Sequence, residues 1–504
     1  MKNIFCIIIF VFTHCFVTAA FAAHFHIDKP TKHLQKELIT SKIWQAGCPV
    51  DLADLRVLTV SYYDLLGRVH HNGKLLMEKS AASHTLALFK QFYLKKFPFS
   101  SIDTLIKHKG NIQFAEEKNI TYGFICKRDQ QNQFTPESLG MVLTINPAFN
   151  PELTYKTDNK NTYVEISPKT AILSVNRNLK LHGMSDQVYS ILKQNHFVRL
   201  TLSDNQVGWK KFIYVHNHQK KPTENIAAKT HQPHITTPIF TYGPLSSEMK
   251  ANLKKNGSWF DGCPVSLDRL NLLTLSYYGF DNQIHTGALI VLDVIAPYAV
   301  AAFKELYIKH YPIEKFDIND MSLHENSAAF NCRNIVGRNN YSIHSYGLAI
   351  DINVSRNPYI GAYNIKDNQM IGTLVPASPY SLPYLDRAKK RAGMNEKIVK
   401  VMAKHGFTVW GGEWQDTVDY MHFQMPTAVA KHLVLLDVKS ARLLIELVIK
   451  DPESAKYMSA DTKWDYLYIM YPKTFINVLK KYFHLLKSKD ESVVINLIYN
   501  ELAV

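Results

Sequence analysis

SIHSYGLAIDIN, Ser342 to Asn353, read together with VDYMHFQ, Val418 to Gln424, decides what this chain is built around. The first stretch sets His344 and Asp351 seven residues apart with Gly347 between them. The second sets Asp419 three residues before His422. Two imidazoles, one carboxylate and a spare acid are the parts of a catalytic zinc site. Such a metal usually has three protein ligands and keeps its fourth position for water, and a free carboxylate nearby can take the proton from that water. Leu348 to Val354 reads as a short strand, with Leu348, Ile350, Ile352 and Val354 on one face and Ala349, Asp351 and Asn353 on the other. An odd separation would put His344 and Asp351 on opposite faces of a regular strand. The chain must therefore bend between them, and Gly347 allows it. Asp419 and His422 raise the same difficulty, which requires Asp419 at a bend or a strand start.

With these residues in view, SxHxxGxAxD followed by DxxHF resembles the zinc D,D-carboxypeptidase and L-alanyl-D-glutamate endopeptidase family, which includes phage endolysins and vancomycin-resistance dipeptidases and shares its fold with the Hedgehog signalling domain. FNCRNIVGRNNYSIHSYGLAIDINVSRNPYI and HGFTVWGGEWQDTVDYMHFQMP are similar to the two ends of that family's core, and the resemblance runs from about Gly257 to Pro426. It implies that His344, Asp351 and His422 bind zinc, that Asp419 is the general base, that Arg333 stabilises the oxyanion and that Ser342 lies near the substrate. Arg338 is a second arginine in the same segment, and Glu413 a second acid. The resemblance also departs from the pattern: Asp419 stands where many members have Glu, and Gln424 where many have Glu after the HF pair. The first change keeps the chemistry. The second leaves the outer partner of His422 open.

An internal repeat organises the rest. WQAGCPVDLADLRVLTVSYYD, Trp44 to Asp64, matches WFDGCPVSLDRLNLLTLSYYG, Trp259 to Gly279, without a gap, and SLGMVLTINPAFNP, Ser138 to Pro151, lines up with SYGLAIDINVSRNP, Ser345 to Pro358. A period near two hundred residues means duplicated domains rather than a solenoid. The first copy lacks the chemistry: Glu137 stands at the position of His344, Thr144 at that of Asp351 and Lys127 at that of Arg333, and Gly208 to His216 contains no DxxH. The expected architecture is α+β, with two tandem Hedgehog/DD-peptidase-like domains. Residues 23–215 form the degenerate copy without a metal, 216–244 a polar, proline-bearing linker, and 245–427 the catalytic copy. From 428 to 504 the pattern is helical and reads as an appendage with lysines on its outer faces.

The N-terminus bears on the compartment. Lys2, the apolar run Ile4 to Val17 and the small-x-small site Ala20-Phe21-Ala22 read as a secretory signal peptide over residues 1–22. The run is short for a transmembrane helix. The mature protein is expected to be exported, periplasmic or secreted, without a stable membrane anchor. Cys6 and Cys15 fall in the leader and leave Cys48, Cys126, Cys263 and Cys332. Four cysteines allow three connectivities. Their repeated positions favour one bridge per copy, Cys48 with Cys126 and Cys263 with Cys332, in an oxidising compartment. The chain has 504 residues, is 46% hydrophobic and carries a formal net charge of +15. That composition supplies ordinary cores for two or three domains. The charge suits anionic cell-envelope polymers, and no nucleic-acid motif is present. The expected function is hydrolysis of peptide bonds in peptidoglycan stems or crosslinks, with Zn2+ as cofactor and peptidoglycan peptides as partners. The alternative is a zinc-stabilised cell-wall-binding module without activity.

Overall fold

A computed structural model of the protein describes residues 23–129, 131–157, 162–201, 203–215, 237–316, 318, 327–335, 338–366, 369–376, 381–387, 390–415, 417–458, 463–464, 467, 470–471 and 474–503. The expected leader 1–22 and most of the expected linker, 216–236, lie outside the described residues.

The repeated sequence LRVLTVSYY and LNLLTLSYY forms the middle strand of a three-stranded antiparallel sheet in each half. In the first half Leu55–Tyr63 lies between Phe25–Asp28 and Val69–Glu78; in the second, Leu270–Tyr278 lies between Phe240–Pro244 and Ile284–Leu292. Phe240–Pro244 was expected within a linker. Its pairing with Leu275 to Asn271 makes it a sheet strand instead. A helix backs each sheet. Ala296–Ile308 buries Ala299, Ala302, Phe303 and Leu306, the spacing of one helix face. Its Pro297 sits in the first turn, where no intrahelical N–H is lost. Lys79–Leu94 plays the same part in the first half through Leu88, Phe89 and Phe92.

Each half also has a small three-stranded sheet of the same order. Val142–Thr144, Lys211–Tyr214 and Phe197–Arg199 form one; Ala349–Asp351, His422–Gln424 and Val409–Trp410 form the other. The strand expected over Leu348 to Val354 is shorter than its apolar alternation implies. It stops at Asp351 because the chain turns at Asn353, which adopts φ +53°.

The two halves share one sheet. Its six strands run in the order Gln206–Gly208, Glu152–Thr157, Thr162–Ser167, Gln369–Val375, Tyr359–Lys366, Val418–Asp419. The order is a palindrome. Glu152 pairs with Ser167 as Tyr359 pairs with Val375, which makes Val164 the counterpart of Gly372. These two counterparts face each other at the centre, where Thr162–Ser167 runs antiparallel to Gln369–Val375. A local two-fold axis therefore passes between Val164 and Gly372. Ion pairs across the axis are reciprocal: Arg177 Nε lies 2.5 Å from Glu396 Oε1, and Arg387 Nη1 lies 3.4 Å from Asp186 Oδ1. Arg177 also donates to the Tyr384 carbonyl, and Arg387 to that of Ser174.

The C-terminal helices are part of this body rather than an appendage to it. Thr427–Leu435, Val438–Lys450, Phe475–Tyr482 and Glu491–Leu502 bury Leu433, Leu444, Val448, Leu479 and Ile498 in the same core as Leu292, Phe303 and Ile350. That core also takes in Val164, Ile166 and Val175 of the first half. The disulfides are Cys48–Cys126 and Cys263–Cys332, one in each half, each with Cα atoms 6.0 Å apart.

Candidate metal centre

The residues Ile343–Tyr346 form a single 3-10 turn, capped by the Ser342 hydroxyl, which accepts from the His344 amide. Gly347 ends it at φ +64° and turns the chain into Ala349–Asp351. A Cβ on Gly347 would lie 2.6 Å from the Leu292 nitrogen, so the position needs glycine for space as well as for conformation. This is the bend that brings His344 back over Asp351. Asp351 is directly opposite His422 in the antiparallel pair with His422–Gln424.

Three donor atoms meet there. His344 Nε2 lies 3.1 Å from His422 Nδ1 and 3.3 Å from Asp351 Oδ2, and His422 Nδ1 lies 2.9 Å from Asp351 Oδ1. All three side chains are buried. The far nitrogen of each ring is fixed as a donor: His344 Nδ1 to the Ala329 carbonyl at 2.5 Å, and His422 Nε2 to Gln424 Oε1 at 2.7 Å. Gln424 is held in turn by Thr427, to which its Nε2 donates at 3.0 Å. Those outer bonds leave the two near nitrogens as lone pairs beside a carboxylate, the tautomers a metal needs. Ligands at about 2.1 Å in a tetrahedron stand about 3.4 Å apart, close to the separations here, so the donor set fits a zinc-like cation. Among the described residues this is the one group of three His, Cys, Asp or Glu side chains placed to hold a metal. Burial lowers the pKa of His422, but Asp351 more than offsets it and takes it up to about 9, so the cluster favours a positive charge at its centre. Burial likewise works against the Asp351 carboxylate, and His344 and His422 hold it well below the usual range.

Asp419 ends the short strand Val418–Asp419, which pairs with Tyr359–Lys366 in the six-stranded sheet. The chain turns through Tyr420 and Met421 before His422, so Asp419 and His422 come from two different sheets. The break that their spacing required is this turn. Burial pushes the Asp419 carboxyl up to about 7; Asp351 adds to the rise, while His422 and Arg333 oppose it. Its Oδ1 has no hydrogen-bond partner among the described residues. Arg333 is placed by its backbone. Its amide donates to Ser345 Oγ at 2.8 Å, its carbonyl accepts from the Ser342 amide at 3.0 Å, and Cys332 beside it is in the second disulfide. Arg338 and Glu413 are exposed. Trp410 is buried and stacks on Phe423, whereas the ring of Trp414 lies 5.4 Å from that of His422.

The first half reaches this site, which sequence reasoning missed. Asn176 donates from Nδ2 to the Gly412 carbonyl at 2.9 Å and to that of Trp414 at 3.3 Å. The Tyr420 hydroxyl donates to Asn176 Oδ1 at 3.3 Å and accepts from the Arg177 amide at 2.9 Å. Tyr420, directly after the Asp419 strand, and Gly412 and Trp414, in the turn before it, are thus tied to a segment more than two hundred positions away. No local signal in VNRN announces this. Ala329, a backbone partner of His344, is equally silent in sequence.

Residues 336–425 match the family model described as D-alanyl-D-alanine carboxypeptidase. The match spans His344, Asp351, Asp419 and His422 and stops short of Arg333 and of the whole first half. The resemblance read from SxHxxGxAxD and DxxHF therefore stands. No curated protein and no solved structure matches the chain. No helix among the described residues is long and apolar enough to cross a membrane.

Proposed function

We propose that the protein is an exported zinc peptidase that hydrolyses peptide bonds of bacterial peptidoglycan, of the D,D-carboxypeptidase or L-Ala-D-Glu endopeptidase type. The observation that carries this reading is Asp419: a partly buried carboxylate, without a partner for Oδ1 among the described residues, beside a complete His-Asp-His donor set. A module that only binds has no use for such an acid. The family match over residues 336–425 supports the substrate class, and the net charge of +15 supports residence among anionic envelope polymers.

His344, Asp351 and His422 would hold the zinc, which supplies Lewis-acid charge and makes a water molecule acidic near neutral pH. Asp419 accepts the proton of the attacking water and returns it to the leaving amine. Arg333 balances the negative charge that develops on the attacked carbonyl oxygen. Ser342 fixes the turn that carries His344, and Ser342 and Trp414 line the substrate's approach. The two halves are best understood as copies of one Hedgehog/DD-peptidase-like fold in tandem, the first without metal.

Purified sacculi, incubated with the zinc-loaded protein and resolved by mass spectrometry, test the reading and identify the bond. Asp419→Asn should keep its zinc and lose about 10²–10⁴-fold in rate. Asp351→Ala should lose most of the zinc itself. Zinc-loaded wild-type protein that binds sacculi without cutting them would make it a wall-binding module instead.

A further inference from the structure

The correspondence between the halves extends into the site, and there the first half has replaced the chemistry position by position. Glu137 sits in the 3-10 turn Pro136–Leu139, closed by Gly140 at φ +66°, as His344 sits in the turn closed by Gly347. Seven residues on, Thr144 ends Val142–Thr144 as Asp351 ends Ala349–Asp351. Lys211 is paired with Thr144 as His422 is paired with Asp351. Gly208 lies opposite Glu152 as Asp419 lies opposite Tyr359. Strand register therefore assigns Lys211 to the place of His422 and Gly208 to the place of Asp419, which sequence similarity alone does not resolve.

At these positions the first half holds one acid and one cation. Lys211 Nζ is 2.8 Å from Glu137 Oε1, with side-chain exposures of 16% and 2%. A carboxylate buried to that extent needs a positive charge against it. Burial alone lowers the pKa of Lys211, but Glu137, Glu152 and Glu116 more than offset it and keep the amine charged. In the second half the position of His344 faces a site for a free cation; in the first the cation arrives covalently, on the side chain at the position of His422.

We propose that the first half is a cation site closed on itself, in which the Lys211 ammonium occupies the role of the divalent metal. This half then keeps the electrostatic balance of the site without binding metal. The proposal rests on reading the halves as copies of one fold, but not on peptidase activity.

Two measurements on the full-length chain test it, and neither uses hydrolysis. The first reconstitutes the site: Glu137→His, Thr144→Asp and Lys211→His together, with zinc content measured by plasma mass spectrometry after dialysis. The expected result is one zinc per chain more than wild type, retained when Asp351→Ala is added. A folded triple variant with wild-type zinc content overturns the proposal, and so does one that stays unfolded in excess zinc. The second isolates the charge. Lys211→Met should lower Tm by about 5–10 °C, since it leaves Glu137 buried and uncompensated, and adding Glu137→Gln should restore most of the loss. If Lys211→Met melts with wild type, or the double variant melts as low as Lys211→Met, charge replacement is not what the pair does. Loss of peptidase activity in either set would bear only on the second half.

Discussion

Gly411→Ala is the sharpest perturbation of the base that leaves every charged group in place. Gly411 opens the 3-10 turn Gly411–Glu413, against the strand that carries Asp419. Its φ is not in the left-handed region, so alanine meets no backbone conflict of its own. Space is the obstacle. A Cβ there would stand 2.8 Å from Asp419 Cβ and 2.5 Å from the Asp419 carbonyl oxygen. Carbon atoms rest about 3.5–4.0 Å apart, so about 0.7 Å or more of overlap must be relieved. The strand His422–Gln424 is pinned by its pairing with Ala349–Asp351, and Val418–Asp419 has only two paired residues. The shorter strand should yield and carry the carboxylate with it. A misplacement near 1 Å can cost about 10²-fold in rate, and the overpacking itself about 1–3 kcal/mol of stability. The expected result is kcat on muropeptides down about 10–100-fold, with KM little changed and zinc content intact. Gly243→Ala, with nothing within 4 Å of its Cβ, is the control and should behave as wild type. A Gly411→Ala enzyme with wild-type kcat would refute the placement of Asp419 as base.

Asn176→Ala should cost about 2–4 kcal/mol by chemical denaturation, since the hydrogen bonds to Gly412, Trp414 and Tyr420 go, two of the three buried; kcat should fall with it, although the residue lies in the other half. Peptide mapping without reductant should recover Cys48–Cys126 and Cys263–Cys332, and replacing Cys263 and Cys332 by serine should cost about 3–5 kcal/mol for a loop of 69 residues. It should also lower activity more than replacing the first pair, because Cys332 anchors Arg333. Stability should fall in acid partly through Glu137: burial pushes its carboxyl up, but Lys211 more than reverses this and leaves it below 4.5. Its contribution is then present above the unfolded value and lost as pH falls through the lower folded one, so Glu137→Gln should flatten that part of a Tm-against-pH curve.

The metal centre was largely legible because its parts are local. The parity of His344 and Asp351 demanded a bend, and Gly347 supplies it; the parity of Asp419 and His422 demanded a break, and Tyr420 with Met421 supplies it. The repeat, too, could be read from GCP and SYY alone, and with it the cysteine pairing. What could not be read is set by strand register. ELTYKT and TYVEIS alternate without saying which strand lies beside them, and register is specified by the face buried rather than by any local motif. Hence the shared sheet, the ties from Asn176 to Gly412, Trp414 and Tyr420 and the register of Lys211 with Thr144 lie beyond what local sequence shows. The C-terminal helices depart from the expected appendage for a related reason. LLIELVIK shows an apolar face but not the surface it will cover, and that surface proved to be the main core.

The axis between Val164 and Gly372 has a consequence for how such a chain can change. Two separate molecules meeting across a two-fold must be identical, so every substitution lands twice. A lysine at the position of His422 would have disarmed both sites of such a pair in one step. Joined end to end, the partners are inherited together but mutate apart. On the proposed reading, one can then trade its metal for an ammonium and its base for Gly208 while still presenting Asn176 and Arg177 to the other. The asymmetry of the present protein is open only to a pair whose members cannot be exchanged.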